Sequence, residues 1–218
     1  MQRIPEPELM DDDEQAAAYA DADFAAVNKA FVERFVAWVG APPATVVDIG
    51  CGPADIPIRL CQALPDTHIT AIDGSPAMLA QARTAVSAAG LDERIELVEQ
   101  FLPGPARDVK YDAVLSNSLL HHLHDPTVMW NEVNALAKPG AALFVIDLYR
   151  PLSTDAAQAI VDEHAEGEPD VLRRDFYNSL LAAFTIDEVN AQLAAAGLSG
   201  ATAETISDRH MLISGRVG

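Results

Sequence analysis

The stretch Val46-Val47-Asp48-Ile49-Gly50-Cys51-Gly52-Pro53-Ala54-Asp55 sets two glycines between carboxylates, and a further carboxylate, Asp73, follows 21 positions after Gly52. Glycines directly after an apolar run let the chain turn sharply and let a ligand approach the backbone. An acid about 20 residues further on, at the end of the next apolar run, can accept hydrogen bonds from both hydroxyls of a ribose. Either feature alone is an ordinary turn or a helix cap. Together, in a strand-helix-strand context, they point to a nucleoside.

The charges around the turn narrow the choice of nucleoside. Ala54 stands where a dinucleotide fold places its third glycine, and Asp48 and Asp55 would repel a pyrophosphate. The same carboxylates suit a ligand with a sulfonium and an ammonium and no phosphate, which favours S-adenosylmethionine over NAD. Further on, Tyr111-Asp112-Ala113-Val114-Leu115-Ser116-Asn117-Ser118-Leu119-Leu120-His121-His122-Leu123 carries an apolar run into a polar, histidine-bearing segment.

With Asp48-Ile49-Gly50-Cys51-Gly52 and Asp73, that segment resembles the class I S-adenosylmethionine-dependent methyltransferases over about residues 45–147. The resemblance implies a seven-stranded sheet with helices on each face. It also implies that Asp48, Gly50, Cys51, Gly52, Asp73, Gly74, Met78, Ser116 and Asn117 line the cofactor. Many members place an acid after the third strand for the adenine amino group. Here the positions are Gln100 and Phe101, read as a hydrogen-bonding partner and a stacking ring for adenine. The form that the family uses for nucleobase amino groups, Asn or Asp before two prolines and an aromatic, is absent after the fourth strand. No lysine is placed for ribose-hydroxyl methylation.

His121, His122, His124 and Asp125 are the most conspicuous polar cluster. Their spacing matches no familiar zinc motif, so no metal is expected. His122 is read as the inward-facing imidazole. With His121 and Tyr149 it completes the candidates for a general base, a role needed only for an acceptor that arrives protonated. Asp125-Pro126 reads as a helix cap followed by Pro at the first helical position. Asp147 and Arg150 end the fifth strand, the edge where open α/β sheets bind ligands, and with Tyr177 and Asn178 they are the expected substrate contacts. In a chain with few cations, Arg150 suggests an anionic acceptor, with a structural pair to Asp147 or Asp155 as the competing role.

The elements that must carry these residues alternate. Strand-like runs at 45–49, 68–72, 95–98, 113–116 and 141–147 are separated by helical stretches at 55–64, 76–89 and 126–137. This predicts an α/β, doubly wound, mostly parallel sheet in a single domain. Residues 1–43 form an N-terminal helical cap in this reading, in which Phe24, Val27, Phe31, Phe35 and Trp38 share a helical face and Tyr19 closes over the cofactor. Residues 44–147 are the cofactor-binding core, 148–184 a helical lid, and 185–218 a last helix and an antiparallel hairpin at 201–206 and 210–217. Thr185 and Glu188 have the spacing of a capping box.

Composition limits the partners. The net charge is −19, from 14 Lys and Arg against 33 Asp and Glu, and no basic cluster exceeds Arg173-Arg174. Such a surface disfavours nucleic acid and anionic membranes, which are held by clustered cations. No apolar run reaches membrane-spanning length, and two cysteines make no disulfide framework, so a cytoplasmic location is expected. The expected reaction is methyl transfer to a small-molecule acceptor, driven mainly by alignment and exclusion of water. Two alternatives share the cofactor: transfer or cyclisation of its aminocarboxypropyl arm, and a non-catalytic binding protein.

Overall fold

The computed structural model describes residues 1–6, 25–105 and 108–218. Its strands are β1 (Thr45–Ile49), β2 (His68–Asp73), β3 (Ile95–Glu99), β4 (Tyr111–Asn117), β5 (Ala137–Leu148), β6 (Ala201–Thr205) and β7 (His210–Arg216). They form one seven-stranded sheet in the order β3-β2-β1-β4-β5-β7-β6. The first five are parallel, and β7 runs antiparallel between β5 and β6. This is the doubly wound, mixed sheet with a closing hairpin that the alternation predicts.

The helices are α1 (Ala25–Val39), α2 (Asp55–Ala63), α3 (Pro76–Ala88), α4 (Thr127–Leu136), α5 (Thr154–His164), α6 (Asp170–Ala182) and α7 (Ile186–Ala195), with a 3-10 turn at Leu120–His122. Side chains on a strand alternate faces, so the sheet feeds two cores. Val46, Leu115 and Phe144 pack with Phe31, Phe35, Leu60 and Leu79 from α1–α3. Val47, Val114 and Val145 pack with Met129, Trp130, Val133 and Val189 from α4 and α7. Phe144 has Phe31, Phe35 and Trp38 around it at centroid distances of 5.4, 5.4 and 5.5 Å, which uses most of the predicted apolar stripe. Val27 instead faces solvent, and Tyr19 and Phe24 lie outside the described residues.

β5 starts earlier than expected. Tyr111 pairs with Ala137 and Ala113 with Ala142, so the intervening residues of β5 bulge outward, with Gly140 at φ +80°. Lys138, in the bulge, reaches Asp112 Oδ1 at 2.7 Å. Residues 148–184, the expected lid, hold α5 and α6, which share a small core of Leu148, Val161, Leu180 and Leu181. Thr185 and Glu188 make both bonds of the capping box at the start of α7. No helix among the described residues is long and apolar enough to cross a membrane.

Because β1 to β5 are parallel, their C-terminal ends share one edge. Gly50, Asp73, Gln100, Asn117 and Tyr149 all leave the sheet there, although they are far apart in sequence.

Candidate active site

At the end of β1 the chain reverses tightly: Gly50 N–H and Cys51 N–H both donate to Ile72 O, at 2.8 and 2.9 Å. Gly50 (φ +76°) and Gly52 (φ +52°) take left-handed conformations, and so does Ala54 (φ +66°). A Cβ on Gly50 would press on Leu119 at 3.0 Å, whereas one on Gly52 would meet nothing within 4 Å. Gly50 therefore serves close packing, and Gly52 faces the open side of the turn.

Two carboxylates converge on this turn. Asp73 Oδ2 accepts from Gly52 N–H and Oδ1 from Ser75 N–H, each at 2.8 Å. Those bonds fix the carboxylate and leave lone pairs on both oxygens for a further donor. Asp48 is 2% exposed, and its Oδ1 has no hydrogen-bond partner. Burial, with Asp73 beside it, pushes its carboxyl up to about 7. A buried acceptor left without a donor is costly, and an ordered ligand cation or donor would relieve it. Asp55 takes no part in this: it is engaged by Arg59 Nε at 2.6 Å and Asn28 Nδ2 at 2.9 Å. The buried Cys51 thiol donates weakly to Gly52 O and is pushed up by burial and then by Asp48, so it is a neutral lining group.

The expected adenine end divides. Gln100 N–H donates to Asp73 O, which places the following loop beside Asp73. The Gln100 side chain, however, is buried and donates from Nε2 to Glu132 Oε1 at 2.9 Å, while Glu132 Oε2 accepts Gly104 N–H at 3.0 Å. A Cβ on Gly104 would collide with the Gln100 amide. Gln100 thus pins its own loop to α4. Phe101 remains 57% exposed at the same edge. Met78 is buried in the first turn of α3, where Ser75 caps it, and Gly74 joins Asp73 to that cap. The Ser116 hydroxyl donates to Ile49 O at 2.7 Å in the sheet interior. Asn117, half-buried, sits at the tip of β4 before Ser118, whose φ is +55°.

The histidine cluster separates into two parts. His121 Nδ1 lies 2.6 Å from Asp147 Oδ1, and Asp147 also accepts Leu120 N–H and Leu148 N–H at 2.7 Å each. Asp147 is fully buried; desolvation would raise its carboxyl, but His121, His122 and the Leu120 N–H together hold it below the usual carboxylate value. Burial would lower His121, but Asp147 and then Glu6 raise it above the ordinary histidine value. His121 and His122 rings stack at 4.2 Å, and Glu6 Oε1 lies 3.2 Å from His122 Nδ1 and 3.7 Å from His121 Nε2. Ser179 Oγ donates to the same Glu6 oxygen at 2.9 Å. His124 instead contacts Glu6 O, and Asp125 Oδ1 accepts Thr127 N–H and its hydroxyl at the start of α4.

Other expected contacts are used by the fold. Asp147 positions His121 and has no exposure to offer a substrate. Tyr149 OH donates to Asp208 O at 2.8 Å, bracing the hairpin turn rather than serving as a base. Arg150, 7% exposed, donates from Nη1 to Ala183 O at 2.9 Å and from Nη2 to Glu188 Oε1 at 2.6 Å. Its partner is the capping-box acid, neither Asp147 nor Asp155. Tyr177 packs on the lid core, and Asn178 is exposed.

Sequence reasoning missed Arg3, Glu6 and Ser179. Arg3 donates to Ala182 O at 2.5 Å and to His121 O and Leu123 O at 2.9 Å each, and its guanidinium lies 3.9 Å over the Phe184 ring. Ile4 N–H donates to Leu181 O. Residues 1–6 therefore strap the lid to the histidine turn. No local pattern in an acidic terminus signals such a role. At the opposite end of the sheet, a cavity of about 410 Å³ beside Lys138 and Asp112 lies away from all these groups.

Residues 47–143 match the family described as a methyltransferase domain. The chain is 32% identical over 146 residues to a ubiquinone biosynthesis O-methyltransferase of Xanthomonas campestris pv. campestris, covering 65% of this chain and 57% of that protein. It spans about half the length of the curated relatives it matches. A S-adenosylmethionine-dependent methyltransferase of Aquifex aeolicus superposes with a TM-score of 0.69 at 20% identity, over 95% of this chain and 99% of that one. The plantazolicin methyltransferase, solved with a desmethyl-plantazolicin analogue and S-adenosylhomocysteine, superposes with a TM-score of 0.71 at 12% identity, over 94% and 90%. These structural likenesses concern the fold.

Proposed function

Because the chain carries the methyltransferase domain of the class I S-adenosylmethionine-dependent family, we propose that it transfers a methyl group from S-adenosylmethionine to a small-molecule acceptor. The observation that carries this reading is the pair Asp48 and Asp73 at the glycine turn. One is buried with an oxygen that lacks a donor, and the other is fixed by backbone N–H groups with acceptor capacity to spare. Those donor-seeking carboxylates fit a ribose and a cationic amino-acid arm, and they fit a pyrophosphate poorly.

When bound, S-adenosylmethionine supplies an electrophilic methyl group whose leaving thioether is neutral. Asp73 would accept the ribose hydroxyls, and the open side of Gly52 would admit the ligand against the backbone. Phe101 would offer a face to the adenine, with Met78 and Gly74 alongside. Asn117 and Ser118 would line the edge nearest the acceptor. His122, with His121 held by Asp147, would take or hold a proton of the acceptor where one must leave. The lid and the terminal strap would exclude water. Arg150 is committed to Glu188 and so does not mark the acceptor as anionic.

Calorimetry with S-adenosylhomocysteine tests the reading. Binding should be in the micromolar range, and Asp73→Ala should cost about 1.5–3 kcal/mol per hydrogen bond lost. Unchanged affinity in that variant, or tight NADH binding in its place, would refute it. Product analysis then separates the reactions: S-adenosylhomocysteine for methyl transfer, methylthioadenosine for transfer of the aminocarboxypropyl arm.

A further inference from the structure

We propose that Glu6, His121 and His122 form a site for one divalent transition-metal ion of the zinc type, with Asp147 as the outer support of His121 and a fourth position left for water or an acceptor oxygen. The inference concerns ion binding and stands apart from the methyl-transfer reading.

Its basis is geometric. One oxygen of Glu6 faces two imidazole nitrogens, at 3.2 and 3.7 Å. Tetrahedral ligands bonded at about 2.0–2.1 Å sit about 3.3–3.4 Å from one another; the Glu6 oxygen stands near that distance from each imidazole nitrogen, and the ligand atoms of all three side chains lie within 4.8 Å of one another. The second nitrogen of His121 is bound to a fully buried carboxylate at 2.6 Å. That contact directs Nε2 toward Glu6 and is the carboxylate–histidine support that metal-bound imidazoles commonly have. Asp147 is itself held by two backbone N–H groups, so the support is rigid. The three side chains are 12%, 4% and 13% exposed, sheltered but reachable from solvent.

The charge balance points the same way. Two carboxylates, Glu6 and Asp147, face two imidazoles, and Arg3 nearby is committed to carbonyl oxygens. Such a donor set suits a cation at its centre. Ser179 also donates to the Glu6 oxygen, and it would orient the carboxylate. An ion there would lower the pKa of a bound hydroxyl or water, a task that the imidazoles would otherwise perform as bases. The histidine spacing could not suggest this site, because its third ligand comes from the opposite end of the fold's sequence.

Cobalt(II) titrated into the chelator-treated full chain reads the site directly. One equivalent should give the intense visible d–d bands of a four-coordinate ion, and zinc(II) should displace it. Glu6→Gln and His122→Ala should each weaken cobalt binding at least tenfold. Asp208→Asn, which breaks the exposed Glu163–His164–Asp208 cluster, should leave it unchanged. Circular dichroism checks that each variant folds, and the near-isosteric Glu6→Gln decides if His122→Ala does not. Absence of the bands, their persistence in Glu6→Gln at unchanged affinity, or their loss in Asp208→Asn would each overturn the proposal.

Discussion

Arg150 and Glu188 are joined at 2.6 Å, from a buried guanidinium at the end of β5 to the acid that closes the capping box of α7. The same guanidinium holds Ala183 O, so one side chain ties the sheet, the end of the lid and the start of the last helix. Arg150→Ala should destabilise the fold by about 2–3 kcal/mol, through lost charge-assisted bonds and the carbonyl left behind. Chemical denaturation measures this. Unaltered stability with a raised acceptor KM would restore Arg150 to substrate recognition.

Asp48 sets a pH dependence with a definite sign. Its carboxyl is pushed up to about 7 by burial and then by Asp73, so the folded state holds a proton that the unfolded chain releases. Stability from this group is complete below the ordinary carboxylate pKa and declines as pH rises toward about 7. Asp48→Asn should remove that decline, gaining at most about 4 kcal/mol over the parent near pH 8 and almost nothing near pH 4. The same variant should bind S-adenosylhomocysteine more weakly. Parallel pH profiles for the two proteins would show that Asp48 is ionised and solvated in the fold.

Phe101 keeps an exposed ring beside the loop that Gln100 anchors. Phe101→Ala should cost about 1–3 kcal/mol of S-adenosylhomocysteine affinity if adenine stacks there, with stability nearly unchanged. Gln100→Ala should behave in the opposite way, lowering stability because the buried Glu132 keeps only the Gly104 N–H and loses its side-chain donor. Calorimetry and thermal melts on both variants would separate a ligand platform from a loop anchor. Equal affinity in Phe101→Ala and the parent would remove the ring from the site.

Arg3 is the principal rivet of the N-terminal strap, with three carbonyl contacts and a ring beneath it. Arg3→Ala should raise hydrogen exchange in residues 179–184 and around His121, while the amides of β1 and β4 keep their protection. The parent lid, 151–184, should gain protection when cofactor and acceptor are added. Identical exchange maps for Arg3→Ala and the parent would show that the strap carries no part of the lid's order.

Much of the fold was legible because its signals are local. Val46 and Val47 alternate between two cores, Gly50 must turn at positive φ, and Thr185 and Glu188 cap a helix within four residues. The register of such elements follows from periods of two and 3.6 residues, and parallel strands bring their C-terminal ends to one edge. The convergence of Asp48, Gly52 and Asp73 on one turn was legible for the same reason: they belong to a single strand-helix-strand unit. The β5 bulge was not, since Pro139-Gly140 has the composition of a turn, and what keeps it in a strand is the Tyr111–Ala137 pairing before it and the Gly140 N–H bond to Val217 O.

The sequence by itself determined which residue types were available at that edge, and the tertiary structure decided which of them were free to act. Arg150, Tyr149, Ser116 and Gln100 sit at plausible positions, yet Glu188, Asp208 O, Ile49 O and Glu132 claim their polar atoms. Buried polar groups must be satisfied, and their partners come from wherever packing brings a complementary atom. Those distances in sequence carry no periodic trace. Glu6 shows the converse: in the chain it is one acid in an acidic terminus, and in the fold it faces two adjacent histidines and a serine from two distant segments.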